Sequence, residues 1–135
     1  MRMILRTLLL LSAAYSLLAC SEPAVTVEGG DFPIENSIQS SEAGAHVGER
    51  KVVCGKVTRA YYARSVTGSP TFVNLDNAEK NIFTIVIWGK DRDRFSDFPE
   101  VMYDNQNLCV RGLILSFQGT AEIQVKSPAS IRMVP

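Results

Sequence analysis

The chain has 135 residues, of which 46% are hydrophobic, and its 14 basic and 14 acidic side chains sum to zero. Once an apolar leader and a polar lead are set apart, roughly 90 residues remain, enough for one small domain and not for two. The neutral total conceals an asymmetry. Without Arg2 and Arg6 of the leader, the chain carries 12 basic against 14 acidic residues, a net of −2. Residues 21–49 hold Glu22, Glu28, Asp31, Glu35, Glu42 and Glu49 with no lysine or arginine, so Arg50 onward carries 12 basic against 8 acidic, a modest +4.

Arg2 and Arg6, followed by apolar residues from Leu8 to Leu18, form a secretory signal over residues 1–19, too short and wrongly flanked for a spanning helix. Leu17-Leu18-Ala19-Cys20 resembles the bacterial lipobox. That resemblance implies that the Cys20 sulfur takes a diacylglyceryl group and its freed amine a third chain, such as palmitate; two or more chains anchor stably in a membrane. Ser21 resembles the sorting pattern of outer-membrane lipoproteins, which implies an outer-membrane anchor with the domain in the periplasm. Residues 20–45, acidic and rich in Gly, Pro and Ser, read as a flexible tether. As a random coil it spans about 25–30 Å, and at most about 80 Å when stretched.

The domain is expected over residues 46–127, with a tail at 128–135. His46-Val47-Gly48-Glu49 reads as a turn, and the single histidine as a solvated or capping residue. Residues 51–62 form a long β-branched strand with Val53, Gly55 and Val57 facing inward; Gly55 marks a sharp coil or a close backbone approach, and a bulge is expected beyond Arg59. The loop 65–70 leads to a second strand, Thr71 to Asp76, with Val73 and Leu75 inward. A hairpin connection over 76–81 precedes a third strand, Ile82 to Trp88, with Phe83, Ile85 and Ile87 inward. Asp91 to Phe98 reads as a short helix with acids at its start and Phe95 and Phe98 on one side, plugging the interior. Pro99 opposes its continuation. Leu108 to Phe117 is the fourth strand, Gln118-Gly119 a turn, and Ala121 to Lys126 the fifth, with Ile123 and Val125 inward. In the tail, Ile131 and Val134 are candidates to pack back.

Five strands with a helix between the third and fourth make an all-β barrel, and the motifs resemble the OB-fold family. Val53-Cys54-Gly55-Lys56-Val57, Phe72 with Leu75-Asp76, and Val110-Arg111-Gly112 are similar to its first-, second- and fourth-strand patterns, over about residues 47–127. The likeness is to OB domains of the nucleic-acid-binding type. It implies a five-stranded barrel whose ligand face crosses strands two and three.

Cys54 and Cys109 are the cysteines left beside Cys20. If their strands are neighbours, both lie on the face away from the core and within reach of a disulfide, which an envelope compartment would preserve; two buried thiols are the alternative. Two cysteines and His46 are an incomplete metal-ligand set, so no metal or cofactor is expected. With no Gly-rich phosphate loop and no nucleophile matched to a histidine, no enzyme is expected.

On the ligand face the sequence offers Phe72, Asn74, Thr84, Val86 and Trp88, with Tyr61, Tyr62 and Arg64 at its edge and Lys56 and Arg59 to suit phosphates. Two readings follow. One is a membrane-anchored module holding single-stranded DNA or RNA; the other is a lipoprotein that docks an envelope protein through the barrel, its aromatics covering the sheet and its charges guarding strand edges.

Overall fold

The computed structural model describes residues 29–76 and 83–135. The expected signal, Cys20 and most of the connection between the second and third expected strands lie outside them. The strands are β1 (Ile38–Gln39), β2 (Arg50–Tyr62), β3 (Thr71–Leu75), β4 (Phe83–Ile87), β5 (Asn107–Leu113), β6 (Leu115–Phe117), β7 (Thr120–Gln124) and β8 (Ile131–Met133). They form one mixed sheet in the order β6-β7-β4-β3-β2-β5-β8, with β1 parallel to β2. Only Ile114 separates β5 from β6, so strands near opposite ends of that order are one bent run of chain. The sheet therefore curls into a barrel of the OB-like kind.

Period-two alternation explains why these residues do so. Val53, Val57, Val73, Leu75, Ile85, Leu108, Val110 and Ile123 are all fully buried and meet in one cluster. The sheet has eight strands, not the five expected. One addition is β1: residues 29–45, read as part of a tether, instead lay Phe32 and Ala43 into buried positions and, with His46, form a 3-10 turn over Ser40–His46. A Glu42 carboxylate accepting from the Gln39 N–H caps that turn at 2.8 Å. Composition hid this segment because its apolar residues are few and widely spaced. A second addition is β8, where Ile131 pairs with Val110 and is buried. The third comes from the expected fourth strand, which breaks at Ile114; its N–H donates to the Glu49 carbonyl at 2.9 Å, and its carbonyl accepts from Gly48 at 2.8 Å.

The helix is displaced. Residues 89–94 form a 3-10 turn, and the α-helix, α1, runs over Pro99–Tyr103 with Pro99 in its first turn. Proline lacks a backbone N–H, but an N–H at that position would have no intrahelical acceptor in any case, so Pro99 starts a helix where it was expected to stop one. Phe95 is buried against Tyr103, ring to ring at 6.2 Å, but Phe98 is 63% exposed and plugs nothing.

Cys54 and Cys109 face one another in the β2–β5 register and form a disulfide. It staples the two strands across 55 residues of chain, worth up to about 4 kcal/mol in the chain-entropy account. Next to it lies a polar node. The Asp76 N–H donates to the Lys56 carbonyl at 2.9 Å, and the Asp76 carboxylate accepts from the buried Ser40 hydroxyl. A Cβ on Gly55 would stand 2.5 Å from the Asp76 Oδ2 and 3.0 Å from the Ser40 Oγ. Of the two expectations for Gly55, a sharp coil or a close backbone approach, the second fails: what comes close is side chains.

Gly55→Ala therefore displaces the carboxylate and is expected to cost about 1–3 kcal/mol by urea unfolding, the penalty for a broken buried hydrogen bond. In the double variant with Asp76→Ala the two losses are expected to be markedly less than additive; strict additivity would show that the glycine serves something else.

Candidate nucleic-acid interface

The outer surface of β2, β3, β4 and β7 depends on one irregularity. Val57 pairs with Leu75 and Arg59 with Asn74, so Thr58 is an extra residue, a β-bulge. Without it Arg59 and Tyr61 would share the inward phase of Val53 and Val57. With it the phase reverses: Ala60 pairs with buried Val73, while Arg59 and Tyr61 turn outward.

Two rows of side chains result. One runs Arg59, Asn74, Thr84, Glu122 and the other Tyr61, Phe72, Val86, Gln124, as the registers of β2–β3, β3–β4 and β4–β7 dictate. The Tyr61 and Phe72 rings lie 5.5 Å apart and tilted by 46°, and the Arg59 guanidinium sits 4.2 Å from the Tyr61 centroid. The Thr84 hydroxyl donates to the Asn74 amide oxygen at 3.1 Å. Thr84 and Val86 face outward, yet at 9% and 1% exposure they are covered by their neighbours and present almost no surface.

Trp88 is half-buried at the edge of this face, and its indole N–H donates to the Gln124 side-chain oxygen at 3.2 Å. The loop after β2 lies against it: a Cβ on Gly68 would come within 2.9 Å of the indole, and the Gly68 carbonyl accepts from the Gly89 N–H at 2.9 Å. One part of the ring is thus a packing surface.

Three expected residues stand apart. Tyr62 is in register with buried Thr71 and so has the opposite phase to Tyr61. Its ring caps Arg92, whose guanidinium lies 3.7 Å from the centroid. Arg64 is exposed in the loop, 5.6 Å from the Tyr62 ring, and Lys56 is in register with Asn107 of β5 instead of with β3. Arg50 and Lys51 pair with Leu113 and Gly112, roughly 30 Å of strand from Tyr61, so the basic run of residues 50–64 is divided along β2. Among the described residues no three His, Cys, Asp or Glu side chains gather as metal ligands would. Glu122 and Gln124 were not singled out from the sequence, although the inward assignment of Ile123 and Val125 already placed them outside.

Arg92 is only 11% exposed and is held by Glu100 through bonds of 2.8 and 3.1 Å and by the Thr71 hydroxyl, which accepts from it. This fixes the 89–94 turn and α1 to the start of β3. Partial burial pushes the Glu100 carboxyl up, but hydrogen bonds from Arg92 and from its own backbone N–H, with the adjacent positive charge, more than offset this and leave it below its ordinary 4.5.

No family model matches the chain, and no curated protein sequence is significantly similar to it. Among solved structures, asparaginyl-tRNA synthetase from Pyrococcus horikoshii superposes with a TM-score of 0.51 at 14% identity, over 76% of this chain and 23% of that one. Aspartyl-tRNA synthetase from Entamoeba histolytica gives 0.43 at 14%, over 99% of this chain and 29% of that one. The chain thus spans under a third of either synthetase.

A carboxylate with a depressed value stabilises the fold above its unfolded pKa, and the gain is lost as pH falls through the folded value. Glu100→Gln is accordingly expected to cost about 1 kcal/mol at neutral pH, with the difference from the unsubstituted protein vanishing in acid, below the ordinary carboxylate range. Urea midpoints measured across pH check this; a difference that persists in acid would place the effect in packing. At 14% identity the likeness to the Pyrococcus synthetase is one of fold, an OB-like barrel.

Proposed function

We propose that this domain is a non-enzymatic module that holds single-stranded nucleic acid on the β2–β3–β4 face of a five-strand OB barrel, β5 and β6 counting as one bent strand and β1 and β8 as additions. The observation that carries the reading is the outward Tyr61–Phe72 pair beside Arg59. It offers bases a π-surface that is not used to close the core, and base stacking on such a surface is worth about 1–3 kcal/mol per ring whatever the base. The OB-like likeness to a tRNA synthetase agrees with this use of the fold. Asn74 and Gln124 supply amide groups at either side for base edges. Tyr62 and Arg92 hold the barrel end and take no part.

The same proposal places the domain at the cell envelope, in the periplasm, on an outer-membrane lipid anchor at Cys20. The support is the Leu17-Leu18-Ala19-Cys20 sequence and the Cys54–Cys109 disulfide, which suits an oxidising compartment.

Fluorescence anisotropy with a labelled oligothymidylate tests the face. Tyr61→Ala and Phe72→Ala are each expected to weaken binding about tenfold without shifting the unfolding midpoint in proportion. Affinity unchanged in both variants would reject this face. Trp88→Ala is a poorer probe, since losing its packing on Gly68 disturbs the loop as well.

Anchoring is tested separately. In cells fed radiolabelled palmitate, the protein is expected to carry label in the membrane fraction, and Cys20→Ala to abolish both label and sedimentation. A Cys20→Ala protein that still sediments with label would overturn the assignment.

A further inference from the structure

A second concavity lies beyond β7, away from the aromatic pair. It is an open cleft of about 720 Å³ between the start of β2, the end of β5 and the outer side of β7. Arg50, Lys51, Arg111 and Lys126 line it, with Gln124 and Ser130 among the polar groups, and no carboxylate does. Arg50, Arg111 and Lys126 are exposed. Two cations elsewhere are paired with carboxylates: Arg92 with Glu100, and Arg94 with Asp91 at 3.6 Å. None of the four cleft cations has a carboxylate partner among the described residues, and the one ring contact, Arg111 over Phe32 at 5.0 Å, leaves its charge in place. Four like charges around one depression repel each other, and a multiply charged anion would relieve that repulsion.

The position of the cleft indicates which anion. Gln124 lines it and also accepts from the Trp88 indole, and it lies in the same cross-strand row as Tyr61, Phe72 and Val86. From Phe72 on β3 to Gln124 on β7 is two strand spacings, about 10 Å. The aromatic face itself has Arg59 as its one cation in these rows and Glu122 as an opposing charge. Stacking groups and phosphate-binding groups are therefore on adjoining surfaces.

We propose that the cleft seats the phosphodiester backbone of a single strand whose bases stack on Tyr61 and Phe72, an inference that rests on the function proposed above. The strand crosses β4 and β7 past Gln124, and its following phosphates lie among Arg111, Lys126, Arg50 and Lys51. The site is then longer than the aromatic face alone. An oligonucleotide of about 4 residues fills the face, and one of about 12 reaches the cleft as well, both within the range known for OB folds.

The test compares labelled oligothymidylates of those two lengths against the full protein, Phe72→Ala, and the double reversal Arg111→Glu with Lys126→Glu. Both reversed side chains are exposed, so the unfolding midpoint is expected to hold and is measured alongside. The reversal is expected to weaken the longer oligonucleotide about tenfold or more and to flatten its log–log salt slope by about 1.4, or 0.7 for each cation lost. The shorter one is expected to be unaffected within about twofold. Arg111→Gln with Lys126→Gln is expected to show a smaller loss in the same direction.

If Phe72→Ala weakens both lengths while the reversal changes neither, the cleft proposal falls and the stacking face stands. If the unsubstituted protein binds neither oligonucleotide but binds phosphatidylglycerol vesicles or tripolyphosphate, and the reversal abolishes that, the strand path and the stacking face both fall and the cleft belongs to another anion. Binding to none of these probes overturns both proposals.

Discussion

Everything in this barrel depends on β2 serving two partners. Its first half pairs with β5 and its second with β3, and the extra residue at Thr58 lies where one pairing gives way to the other. A strand of 13 residues cannot stay flat against both neighbours, because sheet twist accumulates along it. The bulge bends the strand and reverses its phase in one step. Val53 and Val57 can then point into the same core as Ala60, while Arg59 and Tyr61 point away from it. The curvature that closes the barrel and the exposure of the aromatic pair have a single origin.

Closure at this bend is reinforced by short polar contacts beside the apolar core. Asp76 leaves β3 with a positive φ of 46° and folds its carboxylate back over Gly55 toward Ser40. The 3-10 turn that carries Ser40 is thus tied to the β2–β3 end, and β1, just before it, pairs with β2 at Val53 and Cys54. On the other side of β2 the disulfide joins Cys54 to β5. One stretch of four residues, Val53 to Lys56, therefore receives the lead, the disulfide and the carboxylate. Replacing a glycine here has consequences for three segments distant in sequence.

Much of this was legible in the amino-acid order. The alternation in β2, β3, β4 and β7 gave the inward residues correctly, and the opposition of Cys54 and Cys109 follows from the same alternation once β2 and β5 are neighbours. What failed had physical causes. Residues 29–45 resemble a tether because their buried apolar side chains are Phe32 and Ala43, with Ile38 partly buried against the core, too sparse to show a period. Pro99 admits both a stop and a start, and only Phe98 in an extended conformation before it, with φ −61° and ψ 119°, decides for a start. On the ligand face, Tyr61 and Tyr62 are adjacent and alike, and the position of the bulge alone determines which faces out. Without a bulge before Tyr61, Tyr61 would be buried and Tyr62 exposed.

Burial also changes what the face can be. Of the outward positions on β4 and just after it, Thr84 and Val86 are covered and Trp88 is partly packed under the loop at Gly68. The available aromatic surface is displaced toward β2 and β3, and the available positive charge toward β5 and β7. Arg92 is committed to Glu100, Thr71 and Tyr62. On the proposed reading, stacking and charge are thus separable contributions carried by different strands, the first insensitive to salt and the second strongly dependent on it. Gln124, bonded to the indole and lining the basic cleft, is the residue where the two meet, and a ligand too short to pass it would draw on the first alone.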